Sequence, residues 1–134
     1  MINSAEEFLQ LRHSADLNEQ YRSSHDSADI SVWCDIIQKF PDLKAWVIHN
    51  KTIPLEILEL LAKDADPSVR SAVARKRKIN DYIFSLLAVD KDENVRYDLM
   101  CNTKLSIEKK RSIRIEDSPW LASQLENMEK NASS

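Results

Sequence analysis

A period of 26 residues constrains this chain more than any other feature of it. Asp66, Val69, Arg70, Val73, Ile79 and Leu87 recur 26 positions later as Asp92, Val95, Arg96, Leu99, Leu105 and Ile113. Shifted the other way, Pro67, Val69, Arg70, Val73, Ile79, Ile83, Leu86, Leu87 and Asp90 meet Pro41, Leu43, Lys44, Val47, Ile53, Ile57, Leu60, Leu61 and Asp64. Two steps forward, Pro119, Leu121 and Leu125 fall on Pro67, Val69 and Val73. No insertion separates the copies. A fixed period of this length marks a solenoid, in which each unit buries its apolar face by stacking on the next.

Each unit reads as helix, short link, helix. Asp66 and Ser118 are N-caps followed by proline at the first helical position, where a missing N–H costs nothing. Ser4 with Glu7 reads as a capping box, and Asn80 and Ser106 cap later helices. Val69, Val73, Ile83, Leu86 and Leu87 are expected to be buried. Leu17 and Tyr21 lie one period before Leu43 and Val47, which makes the start of the chain a degenerate unit. The expectation is one domain: a degenerate N-terminal cap at 1–40, full repeats at 41–65, 66–91 and 92–117, a half-repeat at 118–130 and a frayed tail at 131–134. The fold class is all-α, a right-handed α-α superhelix of about nine or ten short helices.

Composition narrows the chemistry. The chain has no glycine. A phosphate loop, a dinucleotide-binding turn, a nucleophile elbow and an EF-hand each need glycine where the backbone turns sharply or approaches a ligand. Cys34 and Cys101 are far apart and match neither a disulfide framework nor a metal site, so free thiols and a cytoplasmic location are expected. No signal peptide or membrane span is read. His13, His25 and His49 have no metal-ligand spacing, and no two carboxylates stand out as an acid–base pair. No catalytic residue, cofactor or metal is assigned. The net charge of -3 is uneven: residues 1–66 carry 6 Lys/Arg against 12 Asp/Glu, and residues 67–134 carry 13 against 10. Such asymmetry steers a charged partner.

The run from Leu61 to Ile79, "LAKDADPSVRSAVARKRKI", with "KTIPLEILELLAKD" before it and "DKDENVRYDLMCNTKLS" after it, resembles the HEAT-like and variant leucine-rich repeats of bacterial proteins. The resemblance covers residues 40–125 and implies an all-α superhelix with a binding surface. It brings no catalytic constellation. The Asn-Pro usual after the first helix is replaced here by Asn50-Lys51, Lys76-Arg77 and Asn102-Thr103.

Candidate sites come from departures from the repeat columns. Tyr82 stands where neighbouring units have Glu56 and Glu108, Tyr97 where they have Ala45 and Ser71, and Trp120 where they have Asp42, Ser68 and Asn94. Aromatics at positions otherwise small or polar read as exposed anchors for a partner. Arg75, Lys76, Arg77 and Lys78 fill one link and form a basic edge able to meet phosphates or an acidic protein surface. The column Lys44, Arg70 and Arg96, and the column Asp64, Asp90 and Glu116, read as a recognition ladder or as an internal ladder that fixes stacking. The second is preferred, because structural residues repeat along a solenoid.

The function expected is a non-catalytic protein-binding module, specifically a small inhibitor of the toxin–immunity type that blocks a basic toxin enzyme. Asp16, Glu19, Asp26 and Asp29 would draw that partner in, and Tyr82, Tyr97 and Trp120 would hold it. The alternatives are a nucleic-acid-binding HEAT-like protein related to DNA glycosylases, or an assembly adaptor.

Overall fold

The computed structural model describes residues 1–132. Among them are ten α-helices: α1 (Ala5–His13), α2 (Leu17–His25), α3 (Ile30–Lys39), α4 (Lys44–His49), α5 (Leu55–Leu61), α6 (Pro67–Ala74), α7 (Asp81–Ala88), α8 (Glu93–Met100), α9 (Ile107–Arg111) and α10 (Pro119–Ala132). A 3-10 turn at Pro41–Leu43 leads into α4. No strand occurs among the described residues, only an isolated bridge between Ile2 and Ala28. The all-α expectation therefore holds. The period reappears in the helix starts: Pro41, Pro67, Glu93 and Pro119 are 26 apart, as are Leu55, Asp81 and Ile107. The last helix runs past the expected end of the half-repeat to Ala132, and the rest of the expected tail lies outside the described residues.

Capping residues set these starts. Asp66 accepts from the Ser68 amide at 2.9 Å, Asn80 from Ile83 at 2.9 Å, Asp92 from Asn94 at 2.8 Å and Ser118 from Leu121 at 3.1 Å. Each satisfies a donor that helix geometry leaves open. At α1 only half of the capping box forms. Ser4 accepts from the Glu7 amide at 3.0 Å, but the Glu7 carboxylate turns to Arg22 at 3.1 Å.

The chain gathers into two compact units, Met1–Leu60 and Leu61 onward. In the first, Ile2, Phe8, Trp33 and Ile36 are fully buried, with the Phe8 and Trp33 rings edge to face at 5.7 Å. Here α2 contradicts its sequence pattern. Leu17 is 77% exposed and Tyr21 61%, while Ser23 is buried. A polar network occupies the inner side: Gln20 Nε2 donates to the Ser14 carbonyl at 2.6 Å, and the Ser23 hydroxyl accepts from Arg12 at 3.1 Å. That network turns the apolar stripe outward.

In the second unit α8 packs between α6 and α10. Val73, Val95, Leu99 and Leu121 are buried there, as are Ile83, Phe84 and Leu87 of α7. Leu86, expected inside, is half-exposed. The buried arc of α7 is Ile83, Phe84, Leu87 and Ala88, and Leu86 falls to one side of it. The short α9 buries none of its residues. Lys109, in the column of Ile57 and Ile83, lies over the Phe84 ring at 4.8 Å and reaches Asp81.

Candidate functional site

The arginine column is internal in this second unit. Arg70 is 7% exposed and binds both Asp90 oxygens, at 2.8 and 3.2 Å, and the Asp64 carbonyl at 2.8 Å. Arg96 is 1% exposed and holds both oxygens of Asp117, at 2.7 and 3.0 Å, together with the Arg114 carbonyl. The sequence had placed Glu116 in that column. The segment after the short α9 sets Asp117 under Arg96 instead. Two-point, charge-assisted bonds of this kind fix geometry and leave little charge for a ligand.

A second repeated device is asparagine. Asn50 is fully buried and donates to the Ser23 and Asp26 carbonyls at 2.9 and 3.0 Å. Asn102 is 3% exposed and donates to Ala74 and Lys76 at 2.9 and 2.8 Å. Each also accepts through Oδ1 from the amide two residues on, Thr52 or Lys104. These residues thus define the link geometry that the missing Asn-Pro left open.

The outer face of α6, α8 and α10 is built differently. Counting from the buried positions Val69 and Val73, the residues turned away from the core form the columns Ser68–Asn94–Trp120 and Ser71–Tyr97–Ser123. Neither contains a charge, in a chain of which 31% is charged. The charges beside them, Arg75 and Asp98, pair with each other. Tyr97 and Trp120 meet with ring centroids 4.8 Å apart and planes inclined at 39°. Trp120 remains 40% exposed and Tyr97 is half-buried. A hydrogen bond with the Cys101 thiol raises the Tyr97 hydroxyl pKa above its ordinary 10.0. Depletion of charge around paired aromatics is the composition of the centre of a protein interface.

The other candidates are dispersed. Tyr82 is 45% exposed at the start of α7, with Lys63 Nζ 5.1 Å from its ring. It does not join the Tyr97–Trp120 pair. Asp16, Glu19, Asp26 and Asp29 all belong to the first unit. Asp26 is bound by Arg22 at 2.8 Å and by the N-terminal ammonium at 3.5 Å, and the Arg22 bond draws its pKa below 3.8. Asp16 caps α2, Glu19 accepts from Ser14, and Asp29 precedes α3 without a capping bond. Arg77 and Lys78 are exposed in their link, and Lys76 is half-exposed.

Trp46 was missed. It is 42% exposed, stacked under Arg12 at 3.5 Å and edge-on to His49 at 6.0 Å. Later units hold Ala72 and Asp98 in its column, so the rule that singled out Tyr97 also selects Trp46.

Among the described residues no group of three or more His, Cys, Asp or Glu is placed to hold a metal, and no helix is long and apolar enough to cross a membrane. A cleft of about 410 Å³ lies over the Arg70–Asp90 pair, lined also by Lys63 and Lys91. No protein-family model matches the chain, and no curated protein or solved structure matches it.

Proposed function

We propose that this chain is a non-catalytic protein-binding module, a right-handed stack of HEAT-like helix pairs that inhibits a basic enzyme in the manner of a toxin–immunity pair. The observation that carries the reading is the Tyr97–Trp120 pair, set in two uncharged columns across three packed helices. Tyrosine, tryptophan, serine and asparagine supply contact area and adaptable hydrogen bonds at low entropic cost, as they do in antibody binding loops. A nucleic-acid-binding face would instead be rich in cations.

The basic character of the partner is supported by the first unit. Asp16, Glu19 and Asp29 are exposed and have no cation within ion-pair distance among the described residues. Carboxylates of that kind accelerate encounter with a positive surface.

The test is capture from native cells by the purified chain, beside its Tyr97→Ala/Trp120→Ala variant. The reading expects one stoichiometric basic protein, inhibited on binding and lost with the double variant. A partner retained at the wild-type level by the variant, or no partner at all, would overturn it.

A further inference from the structure

The cations of the second unit are distributed unequally between use and availability. Arg70, Arg75, Arg96, Lys109, Arg111, Arg114 and Lys130 each pair with a carboxylate. Arg77, Lys78, Lys91, Lys104 and Lys110 do not, among the described residues. Lys91 stands alone before α8 and Lys110 lies within α9, whereas Arg77, Lys78 and Lys104 lie on two successive links, 75–80 between α6 and α7 and 101–106 between α8 and α9. Neither link contains an aspartate or glutamate. The flanking carboxylates, Asp81 and Asp98, are already held by Lys109 and Arg75.

Asn102 ties the two links together. Its amide donates to the Lys76 carbonyl at 2.8 Å, and its oxygen accepts from the Lys104 amide at 3.0 Å. Lys78 and Lys104 are therefore equivalent positions of adjacent links, 26 residues apart in sequence. Packed helices stand about 8–10 Å apart, so the links that follow α6 and α8 are offset by about that step. Along one nucleic-acid strand, phosphates advance about 3.4 Å per nucleotide, and about three nucleotides cover the same distance. Lys78 is exposed, and partial desolvation draws its pKa below 10.5.

We infer that the edge formed by Arg77, Lys78 and Lys104 is a sequence-independent contact for the phosphodiester backbone of a nucleic acid. It is separate from the aromatic face and does not depend on what that face binds. Arg75, which the sequence grouped with this run, is excluded because Asp98 occupies it. Lys104, at the equivalent position of the next link, is included.

The test is fluorescence anisotropy of the full chain with labelled duplex DNA and single-stranded RNA of about 20 nucleotides, the site needing only a few phosphates. Three phosphate contacts predict an affinity that falls about 40-fold for the duplex and about 20-fold for the single strand between about 50 and about 200 mM salt. Arg77→Ala/Lys78→Ala/Lys104→Ala should abolish low-salt binding. Arg75→Ala should keep it within about twofold, and the charge-retaining Arg77→Lys/Lys104→Arg should keep it within about threefold, guarding against a folding defect. The inference is overturned if neither nucleic acid binds at low salt, if the triple variant binds like the wild type, or if binding ignores salt. It is overturned equally if polyglutamate competes as well as nucleic acid at matched charge, which would make the edge a contact for acidic proteins.

Discussion

Asn102 and Ala74 are separated by 28 residues of chain and joined by one 2.9 Å hydrogen bond from a side chain to a backbone carbonyl. That bond, with its companion to Lys76, satisfies the end of α6 from the following link. Asn102→Ala should cost about 1–3 kcal/mol, because the carbonyls lose their donor while remaining shielded from water. Denaturant unfolding measures it, and a loss below about 0.5 kcal/mol would show that water replaces the amide readily.

Arg70 and Asp90 have side chains only 9% and 7% exposed. Arg70→Ala leaves an uncompensated buried carboxylate and should cost about 3 kcal/mol. Arg70→Met with Asp90→Leu should cost less than Arg70→Ala alone, since no charge is then stranded. If the double change is worse than the single one, Asp90 acts chiefly through another partner, the Asp92 amide, from which it accepts at 3.0 Å.

Val73 is fully buried at the α6–α8 contact, and Val73→Ala should cost about 1–3 kcal/mol through lost burial and the space left behind. Leu86→Ala, at a half-exposed position of α7, should cost distinctly less. Equal losses in thermal melts would place the core on the other side of α7.

Asp117 is held below its ordinary pKa of 3.8, first by its hydrogen bonds from Arg96. The folded state therefore binds fewer protons than the unfolded chain near that pH. This contribution to stability is present above pH 3.8 and is lost as pH falls through the folded value. Asp117→Asn should flatten the acid limb of the stability curve below pH 3.8 and leave its slope near neutrality unchanged. An unchanged acid limb would refute the assignment.

For a protein partner, Trp120→Ala and Tyr97→Ala should mainly speed dissociation, each weakening binding by about 2 kcal/mol if the pair is the anchor. Neutralising Asp16, Glu19 and Asp29 should mainly slow association, and more so at low salt. Stopped-flow binding separates the two rates. Adding Asp26 should change little, since Arg22 and the N-terminus already hold its charge.

How much of this could be read beforehand depended on whether one periodicity decided the matter. Helix starts follow the columns because their caps are local: Asp66, Asp92 and Ser106 each act within three residues. The buried positions Val73, Ile83 and Leu99 follow for the same reason. Leu17 and Tyr21 do not, because the inner side of α2 is claimed by Gln20, Ser23 and Arg12, a network that no apolar count detects. The pairing of Arg96 with Asp117 escaped because α9 ends at Arg111 and the chain after it is free to choose its carboxylate. Among site residues, the meeting of Tyr97 with Trp120 needed coordinates, since the two occupy different columns of neighbouring helices. Trp46, by contrast, was available to the column argument and was passed over.

The equal spacing of helix starts defines a unit that duplication could copy whole. Residues 93–118 form a block of 26 that contains Arg96, its Asp117, the link asparagine Asn102 and the Ser118 that caps the following helix. A tandem copy would bring every one of these partners with it, and the copied asparagine would face the Met100 and Asn102 carbonyls as Asn102 now faces those of Ala74 and Lys76. On the proposed stacking of helix pairs, length is set by copy number and can change by duplication without any new kind of joint having to evolve.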